Sequence, residues 1–342
     1  WHHIVFSVNS GTGTLYINGV QDTQISNVAP LNATTGNTYG VNSYINYEDN
    51  FDNFLGYLAE YVFIDGTAYD QNSFGEFDSD SPTIWKPIDV SGLTFGTNGF
   101  YLDFEDSSDL GKDVSGNGND FTAVRLAATD QSTDTCTNNF ATFNPLIPST
   151  LTYSDGNLTI ERSSGDWESS GSTIAVAQGK WYAEFKWVSG TYTIIGVEDM
   201  DLVSTWDNQY IGYSANGRGY GWDGDARNNA STSSFGNSFS TGDIIGVALD
   251  MDNKFVYMSK NGTFQNSGDP TSGSSGTGGL SLAGSLYTIG ASGYSSVVDA
   301  NFGSPEFSIS SGNSDANGYG NFEYAVPSGY YALNTKNLAE FG

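Results

Sequence analysis

IIGVALDMDNKFVYMSKNGT, residues 244–263, reads as a β-hairpin. An apolar run (244–249) meets a turn at 250–253, the chain returns over 254–258, and Asn261-Gly262 makes a second reversal. Alternation places Ile245, Val247 and Leu249 on one face, the pattern of a strand packed into a core. Asp-Asn and Asn-Gly tolerate positive φ, so both reversals have a chemical cause. HIVFSVNSGTGTLYINGV, residues 3–20, repeats the design: an apolar strand, a Gly-rich turn, an aromatic-bearing strand and a closing Asn18-Gly19. Two copies of one hairpin, about 240 residues apart, predict two β-sandwiches of related architecture.

The bulk composition agrees. A chain of 342 residues is long enough for two cores. With 43 Gly, 21 Tyr and 21 Phe, and only 15% charged residues, it fits many short strands joined by turns rather than disorder. No long 3.6-period segment is present, so the predicted class is all-β, two tandem antiparallel sandwiches. The charge is strongly acidic, 39 Asp and Glu against 11 Lys and Arg, net −28. Phosphate backbones and anionic bilayers would be repelled, so neither nucleic acid nor a membrane surface is expected as a partner. No apolar run approaches the ~18 residues that span a bilayer, so membrane insertion is not expected. One cysteine, Cys136, forbids an intrachain disulfide and fits folding in a reducing cytoplasm. The chain opens at Trp1 inside a strand pattern, which reads as a piece of a longer polypeptide.

Along the chain, 54–64 and 100–104 read as strands, 76–85 as an acidic loop, 106–120 as a turn-rich loop and 121–129 as a further strand. The predicted organisation is a first domain over 1–140, a linker over 141–148 and a second domain over 149–342. In the second, KWYAEFKWV (180–188) puts Trp181, Ala183, Phe185 and Trp187 on one face. Runs at 158–161, 174–177, 193–197, 209–213, 286–291 and 297–302 read as separate strands, and 312–342 shows no clear period.

Several phrases carry family resemblances. Trp181-Tyr182-Ala183-Glu184-Phe185, the stretch from Gly242-Asp243-Ile244-Ile245-Gly246-Val247 to Lys260-Asn261-Gly262, and Asn301-Phe302-Gly303 resemble, in order, motifs of SPRY domains. That resemblance implies a bent sandwich whose rim loops bind partners without catalysis. Trp1-His2-His3-Ile4-Val5, Leu15-Tyr16-Ile17-Asn18-Gly19 and Leu55-Gly56-Tyr57-Leu58-Ala59-Glu60 resemble laminin-G-like, concanavalin-type jelly rolls. Phe100-Tyr101-Leu102-Asp103-Phe104 and the turn around Asp113 to Gly118 resemble that family's opening strand, implying a truncated or permuted sandwich. Both modules together with Asn138-Asn139-Phe140-Ala141-Thr142 and Tyr331-Ala332-Leu333-Asn334-Thr335 resemble structural proteins of marine tailed phages. The implied role is a tail-fibre-like virion appendage, homo-oligomeric and packed among other virion subunits, contacting a glycan or protein on the host surface.

For chemistry, catalysis finds little in the residues. His2 and His3 are adjacent with no nucleophile nearby, and no Gly-x-Ser-x-Gly, dinucleotide or phosphate-loop motif occurs. Glycosidases need two carboxylates about 5–10 Å apart across a cleft. The nearest run, Glu198-Asp199-Met200-Asp201, reads as loop. Asp113, Ser115, Asn117 and Asn119 alternate along a Gly-rich loop, a pattern open to structural calcium or to Asx turns. No other cofactor is expected. Trp206, Tyr210, Tyr220, Trp222, Asp223 and Arg227 cluster between strands; such aromatics stack on sugar rings or peptide side chains while charged groups fix orientation. The leading expectation is therefore non-enzymatic adhesion, with an architectural spacer and a polysaccharide-degrading enzyme as rivals.

Overall fold

The computed structural model describes residues 1–28, 58–79, 82–124, 126, 131, 134, 135, 137–201 and 208–342. The chain divides into two compact units, Trp1–Thr137 and Asn138–Gly342. Among the described residues secondary structure is almost entirely strand, with a single seven-residue α-helix, so the chain is all-β.

In the first unit, β1 (Ile4–Asn9), β2 (Thr12–Ile17) and β3 (Val20–Ser26) form an antiparallel meander. Its links are two-residue turns with positive φ, Ser10-Gly11 and Asn18-Gly19, as their composition demands. The Asn18 side chain also accepts from the His3 amide at 2.9 Å. β4 (Tyr61–Phe63) pairs with a later strand, β7 (Phe100–Leu102), and Phe63 stacks on Phe100. Between them β5 (Gly75–Phe77) pairs with β6 (Trp85–Pro87), so the acidic 76–85 stretch is not simply a loop. The cause is apolar: Phe77 meets the Trp85 ring edge-on at 4.9 Å, and Trp85 Nε1 donates to His3 Nδ1 at 3.0 Å. The strand expected over 121–129 is not formed at 121–124, where the Phe121 amide instead closes a loop onto the Gly111 carbonyl. Residues 54–57 and Cys136 lie outside the described residues.

The second unit begins with β8 (Thr152–Ser154), β9 (Thr159–Arg162), β10 (Glu168–Gly171) and the 20-residue β11 (Lys180–Asp199). There follow β12 (Arg218–Gly221), β13 (Asp225–Asn228), β14 (Ser231–Ser234), β15 (Ile244–Asp250), β16 (Phe255–Lys260), β17 (Thr263–Phe264) and β18 (Leu280–Ser281). The 15-residue β19 (Tyr287–Asn301), β20 (Tyr331–Ala332) and α1 (Thr335–Phe341) complete it.

Two strands organise this unit. β11 and β19 run antiparallel along nearly their whole length, and each serves two layers. The first half of β11 pairs with β15 and the matching end of β19 with β9. The second half of β11 pairs with β12 and the other end of β19 with β10. The change of layer falls at a register shift between Trp187 and Ser189, followed by Gly190 at φ +107, where a Cβ would collide with the Ser295 carbonyl. What reads in sequence as two strands split by Ser189-Gly190 is one strand folded over itself.

Alternation then fills the space between the layers. Trp181, Ala183, Phe185, Trp187, Ile195 and Val197 from β11 meet Ile245, Val247 and Leu249 from β15 and Ile289, Ala291, Val298 and Ala300 from β19 in one core. The hairpin of 244–263 is formed, with Asn261 and Gly262 both at positive φ as expected, but at its first reversal positive φ falls on Lys254 rather than on Asp252-Asn253. Ala248 and Tyr257 face outward into a second cluster with Phe140, Tyr182 and Phe322, so β15 is covered on both sides.

The stretch 141–148 does not act as a linker. Ala141 and Phe143 are fully buried in the second core, and Phe140 bridges to Asn334. The Ala141 amide donates to the Leu333 carbonyl at 2.8 Å and the Thr335 amide to the Asn139 carbonyl at 3.0 Å. The two ends of the unit thus lie side by side. α1 is too short for a periodic signal; it forms because the Asn334 side chain caps it and Leu338 and Phe341 pack on the core.

Candidate binding surface

The layer that carries the second halves of β11 and β19 holds a line of aromatic side chains where these strands bend. Trp167 precedes β10, Tyr294 lies on β19, Tyr192 on β11, and Trp222 follows β12. Tyr192 and Tyr294 are cross-strand partners with ring centroids 5.5 Å apart. Trp222 lies 4.3 Å from Tyr192 and 5.8 Å, stacked, from Trp167, which in turn lies 5.4 Å from Tyr294. Tyr210 extends the line from Trp167 at 5.4 Å, and Tyr213 from Tyr210 at 5.4 Å. Tyr192 and Tyr213 are exposed and the other four are half-buried, so the six rings form one continuous surface.

Tyr210 and Tyr213 come from a segment without strand structure, contrary to the expectation for 209–213. It is fixed from beneath by polar groups on the sheet. Ser169 Oγ donates to the Gln209 carbonyl at 2.6 Å, Ser292 Oγ accepts from the Ile211 amide at 2.8 Å, and Glu198 Oε2 accepts from the Gly212 amide at 2.9 Å. Glu198 also accepts from the Ser214 hydroxyl. Burial pushes the Glu198 carboxyl above its usual range, although these hydrogen bonds oppose the shift. A cavity of about 10 Å³ lined by Ser169, Glu198, Gln209, Tyr210, Ile211 and Ser214 has room for a single water. The run from Glu198 to Asp201 is therefore not a loop with free carboxylates: Glu198 and Asp199 end β11, buried, and Asp199 accepts from the Asn216 side-chain amide at 2.6 Å.

Arg227, on β13, is 4% exposed and lies over Trp222 with its guanidinium carbon 5.4 Å from the ring centroid. Asp223 holds Nη2 at 2.5 Å. Nη1 has no hydrogen-bond partner among the described residues, and Asp225 Oδ2 is 3.9 Å away. A buried donor left so costs about 1–3 kcal/mol. Asp223 and Asp225 remain partly open to solvent.

Of the residues singled out in sequence, Tyr210, Trp222, Asp223 and Arg227 come together here. Trp206 lies outside the described residues. Tyr220 does not belong to the surface: it is 0% exposed, packed against Phe235 and Phe239 with its hydroxyl donating to the Asn237 carbonyl. Its register opposite Ile195 turns it into the core. Trp167, Tyr192 and Tyr294 were not indicated by the sequence, being single aromatics on distant segments, and neither was Tyr213, three residues from Tyr210; the alternation of β11 alone could have placed Tyr192 outward.

In the first unit, Asp113, Ser115, Asn117 and Asn119 are all hydrogen-bonded to backbone. Asp113 accepts from the amides of Tyr101, Ser115 and Asn119, all at 2.8–2.9 Å. Asn117 and Asn119 donate side-chain amides to the Gly99 carbonyl, and Ser115 Oγ accepts from the Asn117 amide. This is the Asx-turn arrangement: it engages the Asp113 carboxylate and Ser115 Oγ, while Asn117 and Asn119 donate through Nδ2. Among the described residues no three His, Cys, Asp or Glu side chains form a group that could hold a metal ion.

A model of the Laminin_G_3 family, described as the concanavalin A-like lectin/glucanases superfamily, matches residues 1–71 of the 342. No curated protein matches the chain. Among solved structures, the SPRY domain of human HERC1 is similar with 19% identity and a TM-score of 0.36, over 46% of this chain and 96% of that one.

Proposed function

We propose that the chain is a non-enzymatic binding module that holds glycan on the aromatic surface of its second unit. The observation that carries this is the continuity of the six rings across separate strands, half-open to solvent and held by buried polar groups. Contiguous exposed aromatics are costly to leave in water and suit the apolar faces of pyranose rings. The match over 1–71 to the concanavalin A-like lectin/glucanases superfamily supports a binding role for that part of the chain. The phage-like phrases at 138–142 and 331–335, which lie against each other in the fold, support a place in a tail-fibre-like virion appendage that is folded in the cytoplasm and meets host-surface glycan or protein outside it. The test is a glycan array with the wild-type chain and a Trp167→Ala/Trp222→Ala variant. Binding by the first and loss in the folded second supports the reading; binding unaffected by the substitutions, or none by the wild type, overturns it.

A second reading, an architectural module packed against neighbouring virion subunits in a homo-oligomer, is favoured by one observation. On β1–β3, Ile4, Phe6, Val20 and Ile25 share a face and are all exposed, Ile4 at 65%. Sedimentation of the intact chain separates the two: a concentration-dependent oligomer abolished by Ile4→Lys favours this reading, and a monomer at all concentrations dismisses it.

A further inference from the structure

The charge around the aromatic surface narrows the kind of glycan it takes. Two guanidiniums lie at its margin, Arg162 and Arg227, and both are buried and already bound by a carboxylate, Asp166 and Asp223 respectively. Arg218 lies at the far end of β12, donating to the carbonyls of Ala215 and Gly217. What reaches solvent beside the rings is therefore acidic: Asp166, Asp223 and Asp225, each with more than a third of its side chain open. The whole chain adds a net charge of −28 to the same sign.

The Arg227 guanidinium does not offset that charge for a ligand, because Nη1, which faces Asp225 Oδ2 across a gap, is buried. At 3.9 Å the gap is too long for a hydrogen bond, and it leaves Nη1 without a partner. A sugar hydroxyl can donate to the open carboxylates of Asp223 and Asp225. A carboxylate or sulfate can only accept, and would do so facing two aspartates.

We propose that the surface recognises neutral sugars, stacking them on Trp167, Trp222 and Tyr192 beside the open carboxylates of Asp166, Asp223 and Asp225, and that it rejects uronic and sulfated polysaccharides. This rests on the glycan-binding reading and adds the class of sugar to it. Like charges disfavour the wrong partner while the rings supply affinity to the right one.

The test is titration calorimetry of the whole chain with three oligosaccharides of equal length: a neutral glucan, a polyuronate and a sulfated galactan, at low and high salt. The neutral probe binds tighter than either acidic probe by about tenfold or more at low salt, and the gap narrows as salt screens the aspartates. Asp225→Asn, partly exposed and outside the core, narrows it further at low salt. A polyuronate or sulfated galactan that binds as tightly as the glucan overturns this inference and leaves glycan binding standing. Failure of all three probes to bind the folded chain overturns both.

Discussion

The Arg227 guanidinium lies over the Trp222 ring at 5.4 Å and is clamped there by Asp223 at 2.5 Å, so a charge on β13 and an aromatic face from the turn before it fix each other. Trp222 also touches Tyr192 and Trp167 and packs against the core, so Trp222→Ala should lower stability by about 2–4 kcal/mol as well as abolish binding. Tyr192 is exposed; Tyr192→Ala should weaken binding while costing under about 1 kcal/mol. Thermal melts beside binding isotherms for both variants check this. Equal stability losses in the two would show that the rings serve packing alone.

The boundary of the second unit is set by Phe143 and by the pairing of 139–141 with 333–335. A fragment of 138–342 should therefore melt well above one of 149–342, which loses a buried phenylalanine and the strand-like clasp. Removing a fully buried Phe alone costs about 3–5 kcal/mol. Matching melting temperatures for the two fragments would restore 141–148 to the status of a tether.

Buried carboxyls give the stability a pH signature. Burial raises Glu184, which accepts from the Glu323 and Tyr324 amides, and likewise raises Glu198 and Asp299. A carboxyl with a raised folded pKa binds its proton more tightly folded than unfolded, so its contribution is complete below the unfolded value and is lost as pH rises through the folded one. Asp166, held by the Ser164 hydroxyl and then by Arg162, and Asp269, held by the Thr271 hydroxyl, are lowered. Their contributions are present above the unfolded value and disappear as pH falls through the folded one. Melting temperature should then peak in mildly acidic solution and decline toward neutrality. A monotonic rise through neutrality would refute the assignment of Glu184 and Glu198 as raised.

Asp113 accepts three backbone amides in the first unit. Asp113→Ala should destabilise that unit by about 2–3 kcal/mol, since each lost partner strands a donor, and the loss should be the same with calcium or with chelator present. A wild-type melting temperature that rises with calcium would return the loop to metal binding.

The sequence revealed what is local and concealed what is brought together. The hairpin of 244–263 was legible because Ile245, Val247 and Leu249 alternate and Asn261-Gly262 dictates its reversal. The continuity of β11 was not, because Ser189-Gly190 resembles a break when it is a bend, and the bend matters only against Ser295 on β19. α1 was hidden by its seven residues. For the site, Trp222, Asp223 and Arg227 stood close in sequence and were found together, whereas Trp167, Tyr192 and Tyr294 join them only through the pairing of β10, β19 and β11. Tyr220 was misplaced because its glycine neighbours look like a loop, while its register opposite Ile195 directs it inward.

The most direct test follows the indole N–H signals in a nitrogen-15 spectrum during titration with a neutral oligosaccharide. The account predicts that Trp167 and Trp222 shift and saturate together while Trp181 and Trp187, sealed in the core, stay still. Saturable binding that leaves Trp167 and Trp222 unmoved would contradict it.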